Sequence, residues 1–191
     1  MGKHQVKEGF RRGKKESLRA IFLDRDGVVN RAIVRGDKSY SPNSLDEFEI
    51  LPGVKETCAL FKKAGYVLVI ATNQPDVGRG IILQSIIEEM HSFLSQHLPI
   101  DHIEVCYHPG GELSSCDCRK PNSGMLVRAA SKLGLDLKQS WMIGDRWSDI
   151  ECGHLAGCRT ILIGDGYKET LRILPDFQAP SLRETAAFIL G

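Results

Sequence analysis

Three short apolar runs in this chain each stop at residues that can do chemistry. Ala20-Ile21-Phe22-Leu23 runs into Asp24-Arg25-Asp26-Gly27, residues 67–71 run into Thr72-Asn73, and residues 141–144 run into Asp145 and then Asp149. Short apolar runs bounded by turn signals read as strands buried on both faces. Helical patterns fill the intervals. Residues 54–64 follow Pro52-Gly53 and stop at Gly65. Ile82, Ile86, Met90, Phe93, Leu94 and His97 recur at helical spacing, residues 125–133 end at Gly134, and 150–156 form a further helix. Residues 103–106 and 160–163 read as additional strands. Ser181-Leu182-Arg183-Glu184 has capping-box spacing for a last helix ending near Leu190. Alternation of this kind predicts an α/β fold with a doubly wound, mostly parallel sheet. In such sheets ligands sit outside the carboxyl ends of the strands, where all three polar clusters fall.

Size and composition narrow the class. With 191 residues, 42% hydrophobic and 26% charged, the chain reads as one globular domain. No apolar stretch reaches membrane-spanning length, and the polar, basic start lacks a secretory pattern, so the expected location is cytoplasmic. The net charge of +1 hides an asymmetry: residues 1–19 hold seven Lys or Arg against Glu8 and Glu16. Residues 1–18 are therefore expected to be a basic, solvated tail, and 19–191 the single domain. A basic tail can touch nucleic acid or acidic lipid, but Phe10 alone is not the aromatic interleaving of a single-strand binder, and no nucleic-acid or membrane partner is expected. Nothing marks a dimer surface, and a monomer is expected.

Asp24-Arg25-Asp26-Gly27 alone fits an ordinary acidic turn or a calcium-type loop as well as a catalytic pair. Its order with Thr72-Asn73, Lys120 and Gly144-Asp145-x-x-x-Asp149 favours catalysis. Dephosphorylating a monoester needs an in-line nucleophile, a proton for the leaving oxygen and neutralised charge. Asp24 is the candidate nucleophile, and Asp26 the acid that protonates the alkoxide and then activates water. Both Asp24 and phosphate are anions, so a cation must lie between them. Mg²⁺ suits oxygen ligands. Asp145 supplies a second acid, and Asp149 holds the metal's water shell or a neighbouring lysine.

Cys106-x-His108 and Cys116-x-Cys118 make a Cys₃His set, enough for a closed, structural Zn²⁺ site. Buried thiols or a redox pair are the other readings. His91, His97, His102 and His154 are not needed and are expected on the surface or on helices. Cys118 is followed at once by Arg119-Lys120-Pro121, so a metal there would fix the backbone before the lysine.

Phe22-Leu23-Asp24-Arg25-Asp26-Gly27-Val28-Val29-Asn30, Ala71-Thr72-Asn73-Gln74, Lys120-Pro121 and Gly144-Asp145-Arg146-Trp147-Ser148-Asp149 together resemble the haloacid dehalogenase superfamily of phosphatases, with its Rossmann-like fold. The resemblance implies Asp24 as nucleophile, Asp26 as acid/base, and Thr72 and Lys120 as phosphate clamps. It also implies Mg²⁺ held by the Asp24 side chain, the Asp26 backbone carbonyl and Asp145. With the Cys/His loop, it narrows to the D-glycero-D-manno-heptose 1,7-bisphosphate 7-phosphatases and the related histidinol-phosphate phosphatases. The first implies hydrolysis of a sugar bisphosphate to the heptose 1-phosphate in lipopolysaccharide precursor synthesis. The substrate contacts carried over are Arg25, Thr72, Asn73, Gln74, Arg119 and Lys120. The segment 31–42 is longer than in the best-known heptose enzymes and cannot be matched residue by residue. Arg35 and Lys38 in it are either contacts for a second phosphate or part of a solvated hairpin. The gaps between motifs leave no room for a large cap domain, so an open site is expected, ringed by segment 31–42, the zinc loop and the turn after Gln74. Competing readings are a histidinol-phosphate phosphatase, a polynucleotide end phosphatase, and a zinc-stabilised binding module without catalysis.

Overall fold

The computed structural model describes residues 17–36, 38–111, 116–165, 167 and 169–191. Six strands form one sheet: β1 (Ala20–Leu23), β4 (Val67–Asn73), β5 (His102–Cys106), β6 (Trp141–Gly144), β7 (Arg159–Ile163) and β8 (Phe177–Ala179). Their order is β5-β4-β1-β6-β7-β8, and every pairing in this sheet is parallel. From β1 the chain builds outward through β4 and β5, then returns to the other side of β1 for β6, β7 and β8. The direction reverses between β1 and β6, and the crevice beyond their carboxyl ends is where such a sheet binds ligands. A separate antiparallel hairpin, β2 (Ile33–Arg35) with β3 (Lys38–Tyr40), projects from the segment after β1. The hairpin reading of that segment holds. The side chains of Arg35 and Lys38 lie outside what the structure describes.

The central strands are apolar throughout because both faces are covered. Alternate residues serve opposite layers. Ile21 and Leu23 of β1, Leu68 and Ile70 of β4, and Trp141 and Ile143 of β6 face one core. That core is closed by Val54, Cys58 and Phe61 of α1 (Val54–Lys63), by Ile87, Met90 and Leu94 of α3 (Gln84–His97), and by Leu182 of α6 (Leu182–Leu190). Ala20 and Phe22, Val69 and Ala71, and Met142 face the other. There they meet Met125, Leu126 and Ala129 of α4 (Gly124–Leu133) and Cys152 of α5 (Trp147–Ala156).

Three elements differ from the sequence reading. β4 runs on through Thr72 and Asn73, in register with Val105 and Cys106 of β5. A single turn, α2 (Pro75–Gly78), follows it, and β8 adds an unexpected edge strand. The expected basic tail lies almost wholly outside the described residues. Leu18, assigned to that tail, instead bridges to Leu135 and belongs to the domain. Among the described residues no helix is long and apolar enough to cross a membrane.

Candidate active site

The turn after β1 is folded by its own backbone. The Arg25 carbonyl accepts from the amides of Val29 and Asn30, at 2.8 and 3.0 Å, and the Gly27 amide donates to the Asn30 carbonyl at 2.8 Å. Gly27 has φ +91°, and a Cβ there would lie 1.8 Å from Oδ2 of Asp145. Only glycine lets this turn approach the acid at the end of β6 so closely.

Asp24, Asp145 and Asp149 are all buried, each with a carboxylate oxygen within 4.8 Å of the others. Lys120 enters this group from the next segment. Its ammonium donates to Asp24 at 2.6 Å and to the Ala71 carbonyl at 2.7 Å, and stands 2.7 Å from Asp149. Burial opposes its charge, but Asp149 and Asp24 outweigh that and hold its pKa above the ordinary lysine value. Burial pushes Asp24 up to about 6 despite Lys120, with Asp149 adding to the rise. Burial and the charges of Asp24 and Asp149 raise Asp145 well above the usual carboxylate range. Three buried acids around one ammonium are short of positive charge, and an all-oxygen donor set of this kind fits a hard divalent cation.

Asp26, two residues from Asp24, sits among donors instead. Its oxygens accept from Arg25 at 2.9 Å, Asn30 at 2.9 Å, Ser41 at 2.7 Å and Gln74 at 2.9 Å. Burial would raise its pKa, but the Arg25 charge and the hydrogen bonds from Asn30, Ser41 and Gln74 bring it below the ordinary value. The structure corrects two expected substrate contacts here. Arg25 is fully buried with its guanidinium on Asp26 and His91. Gln74 is 2% exposed, with its amide shared between Asp26 and Thr72. Neither faces the pocket, because both are spent on the carboxylate. His91 is on a helix as expected but is buried. Burial and the Arg25 charge push its pKa down to about 3.

The remaining predicted residues converge on one cavity of about 230 Å³, lined by Asp24, Asp26, Thr72, Asn73, Arg119 and Lys120. Asn73 also clasps the Lys120 backbone: its Oδ1 accepts from the Lys120 amide and its Nδ2 donates to the Lys120 carbonyl, both at 3.1 Å. Nη1 of Arg119 is buried with no hydrogen-bond partner among the described residues. A Cβ on Gly110 would meet that guanidinium at 2.8 Å, so the backbone after His108 forms one wall of its slot. The rim comes from Tyr40 at the end of the hairpin and Ser41 after it, Asp76 of α2 and Arg79 just beyond it, and Arg146 and Ser148 after β6. This matches the open ring expected of a capless site. Sequence reasoning missed Ser41, Arg79 and Arg146. Arg146 was legible as the residue next to Asp145, whereas Ser41 reaches Asp26 only through the hairpin's fold.

Cys106, His108, Cys116 and Cys118 form the second cluster. Cys118 Sγ lies 3.3 Å from Cys106 Sγ and 3.2 Å from His108 Nδ1, and Cys106 Sγ lies 3.8 Å from Cys116 Sγ. Metal–ligand bonds of about 2.3 and 2.0 Å at tetrahedral angles require separations of roughly 3.5–3.8 Å. The donor set and spacing therefore fit Zn²⁺.

Residues 117–185 match the HAD-hydrolase-like family model. The D-glycero-alpha-D-manno-heptose-1,7-bisphosphate 7-phosphatase of Campylobacter jejuni is 39% identical over 157 residues, covering 79% of this chain and 86% of that protein. The D-glycero-beta-D-manno-heptose-1,7-bisphosphate 7-phosphatase of Escherichia coli K12 is 35% identical over 162 residues, covering 79% and 82%. The crystal structure of the D,D-heptose 1,7-bisphosphate phosphatase of B. bronchiseptica, complexed with magnesium and phosphate, superposes with a TM-score of 0.73 at 32% identity. That match covers 91% of this chain and 98% of that one.

Proposed function

The chain belongs to the D-glycero-D-manno-heptose 1,7-bisphosphate 7-phosphatase family of HAD-like hydrolases, and from that premise we propose that it removes the 7-phosphate of the heptose bisphosphate, leaving heptose 1-phosphate. An Asp24 oxygen attacks phosphorus as the bond from phosphorus to the sugar oxygen breaks. Asp26 gives that oxygen its proton. The same carboxylate then takes a proton from the water that hydrolyses the aspartyl-phosphate, which returns Asp24 and releases phosphate. Lys120, already on Asp24 at 2.6 Å, offsets the charge of nucleophile and phosphoryl group together. Asp24, Asp145 and Asp149, with the Asp26 carbonyl, would hold Mg²⁺, which neutralises charge between carboxylate and phosphate. Cys106, His108, Cys116 and Cys118 would hold a structural Zn²⁺.

The observation that carries the choice of a bisphosphate is the buried Nη1 of Arg119 at the pocket wall, which has no partner among the described residues. An unsatisfied buried donor is costly, and an anionic acceptor on the substrate removes that cost. The two anomers named for the relatives leave the anomer to experiment. Phosphate release is measured with Mg²⁺ on both heptose bisphosphate anomers, histidinol phosphate and a phosphorylated oligonucleotide. The expected result is a clear preference for one heptose anomer, abolished by Asp24→Asn. Faster release from histidinol phosphate or the oligonucleotide than from either anomer would overturn the assignment.

A further inference from the structure

Arg25 is among the largest fully buried side chains of the protein, yet its charge faces no pocket. Its Nε and Nη2 donate to the Asp26 carboxylate at 3.2 and 2.9 Å. Its Nη1 lies 3.2 Å from Nε2 of His91. A guanidinium only donates, so Nε2 accepts and the His91 ring is neutral with its proton on Nδ1. The Phe48 ring lies 5.6 Å from the guanidinium carbon and packs edge-on to Phe93, two residues beyond His91 on α3. Helix α3 therefore meets Arg25 directly through His91, and indirectly through Phe93, which backs the Phe48 ring beside the guanidinium; the arginine itself lies 66 residues earlier in the chain than His91.

We propose that His91 is a positioning residue for the leaving-group step: by holding Nη1 of Arg25 it fixes the guanidinium fork that orients Asp26. The inference rests on reading Asp26 as the general acid. Two donors on one rigid fork fix the plane of a carboxylate as a single contact cannot. Without an acceptor at His91 the fork loses its anchor, and the acid loses its aim at the bridging oxygen. The cost falls on proton transfer to the departing alkoxide, not on attack by Asp24 or on phosphate binding.

The test exploits that separation. The heptose bisphosphate leaves as an alkoxide that needs a proton, whereas 4-nitrophenyl phosphate leaves as a stable phenolate that does not. Because kcat/KM reports phosphorylation of Asp24, it is measured on both substrates with Mg²⁺ for the parent, Asp26→Asn, His91→Leu and His91→Gln. Misaligned groups cost up to about 10²-fold. His91→Leu should lose roughly tenfold to a hundredfold on the sugar substrate and less than about twofold on the nitrophenyl ester. His91→Gln, which keeps an acceptor, should recover most of the loss. Retained nitrophenyl activity shows that the variant is folded. If His91→Leu does not fold, His91→Asn, too short to reach Arg25, replaces it. Equal losses on both substrates, or no loss on the sugar, would overturn the role of His91. If Asp26→Asn also fails to separate the substrates, the reading of Asp26 has failed instead.

Discussion

Replacing Asp24 with asparagine should stabilise the Mg²⁺-free protein, and by an amount that depends on pH. In the folded chain Asp24 is raised from 3.8 to about 6. Ionised Asp24 is therefore worse off folded than unfolded, by about 3 kcal/mol for a shift of this size. As pH falls through 6 the folded protein takes up a proton that the unfolded chain does not, and the parent recovers stability down to the unfolded value of 3.8. Between pH 7.5 and pH 5 that recovery is on the order of 1 kcal/mol, or ~2–4 °C in Tm for a domain of this size. His91 works against it. Its folded value of about 3 lies below the ordinary 6.5, so the parent loses stability on acidification through that window. Parent and variant share His91, so its contribution cancels in the difference, which reports Asp24 together with its coupling to Asp145 and Lys120. Urea unfolding of zinc-loaded protein in Mg²⁺-free buffer, without chelator, should show Asp24→Asn more stable at pH 7.5, with the advantage shrinking by about 1 kcal/mol at pH 5. Mg²⁺ at a hundred times its Kd should then stabilise the parent by about 2.7 kcal/mol at pH 7.5, and the variant much less. A difference independent of pH, or equal stabilisation of both proteins by Mg²⁺, would refute the reading of these acids as a frustrated cation site.

Lys120→Met removes the ammonium that stands 2.6 Å from Asp24 and 2.7 Å from Asp149. Turnover should fall by about 10²–10³-fold in steady-state phosphate release, and activity within tenfold of the parent would count against the clamp. Removing zinc with a chelator selective over Mg²⁺ should lower turnover while Mg²⁺-induced stabilisation persists. Cys106 is in register with Asn73, and Asn73 clasps Lys120, so a metal held there would reach the lysine through the sheet as well as through Cys118. Full activity in a folded, zinc-free preparation would refute that coupling.

The sequence showed the site's chemistry better than its geometry. Asp24, Thr72 and Asp145 were legible because each ends an apolar run, and parallel strands buried on both faces have no other way to present polar residues together. The Cys₃His set was legible from residue type alone. What each polar side chain faces was not. Arg25, Asp26 and Gln74 sit in one short list of motif residues, but only the turn at Gly27 and the end of β4 decide that Arg25 and Gln74 face Asp26 instead of substrate. Ser41 and His91 lie 15 and 65 residues from Asp26 and carry no motif. They enter the site through hairpin and helix packing, which no local pattern encodes. The edge strand β8 was missed for a related reason. With solvent on one side it lacks the continuous apolar run that marks the inner strands.

Asp24 and Asp26 show how two identical side chains come to opposite states. One faces the acids of β6 and α5 and resists its charge. The other faces donors from four directions and keeps it. Asp26 is thus a ready base, but to protonate an alkoxide it must first carry a proton, so some of its donors have to be withdrawn. Arg25 and Asn30 belong to the same turn and move with it. Ser41 lines the pocket, and Gln74 lies behind it, donating also to Thr72, a predicted phosphate clamp that does line it. A phosphoryl group at Thr72 would compete for these two donors and leave Asp26 on Arg25 and Asn30, where its proton affinity would be higher. Ser41→Ala makes part of that change permanent in the free enzyme. Removing a hydrogen bond to the charged form raises the pKa. The alkaline limb of the kcat/KM profile, where the acid loses its proton, should therefore move to higher pH in Ser41→Ala. A limb that stays in place or moves to lower pH would show that the Ser41 contact at 2.7 Å does not set the protonation of Asp26.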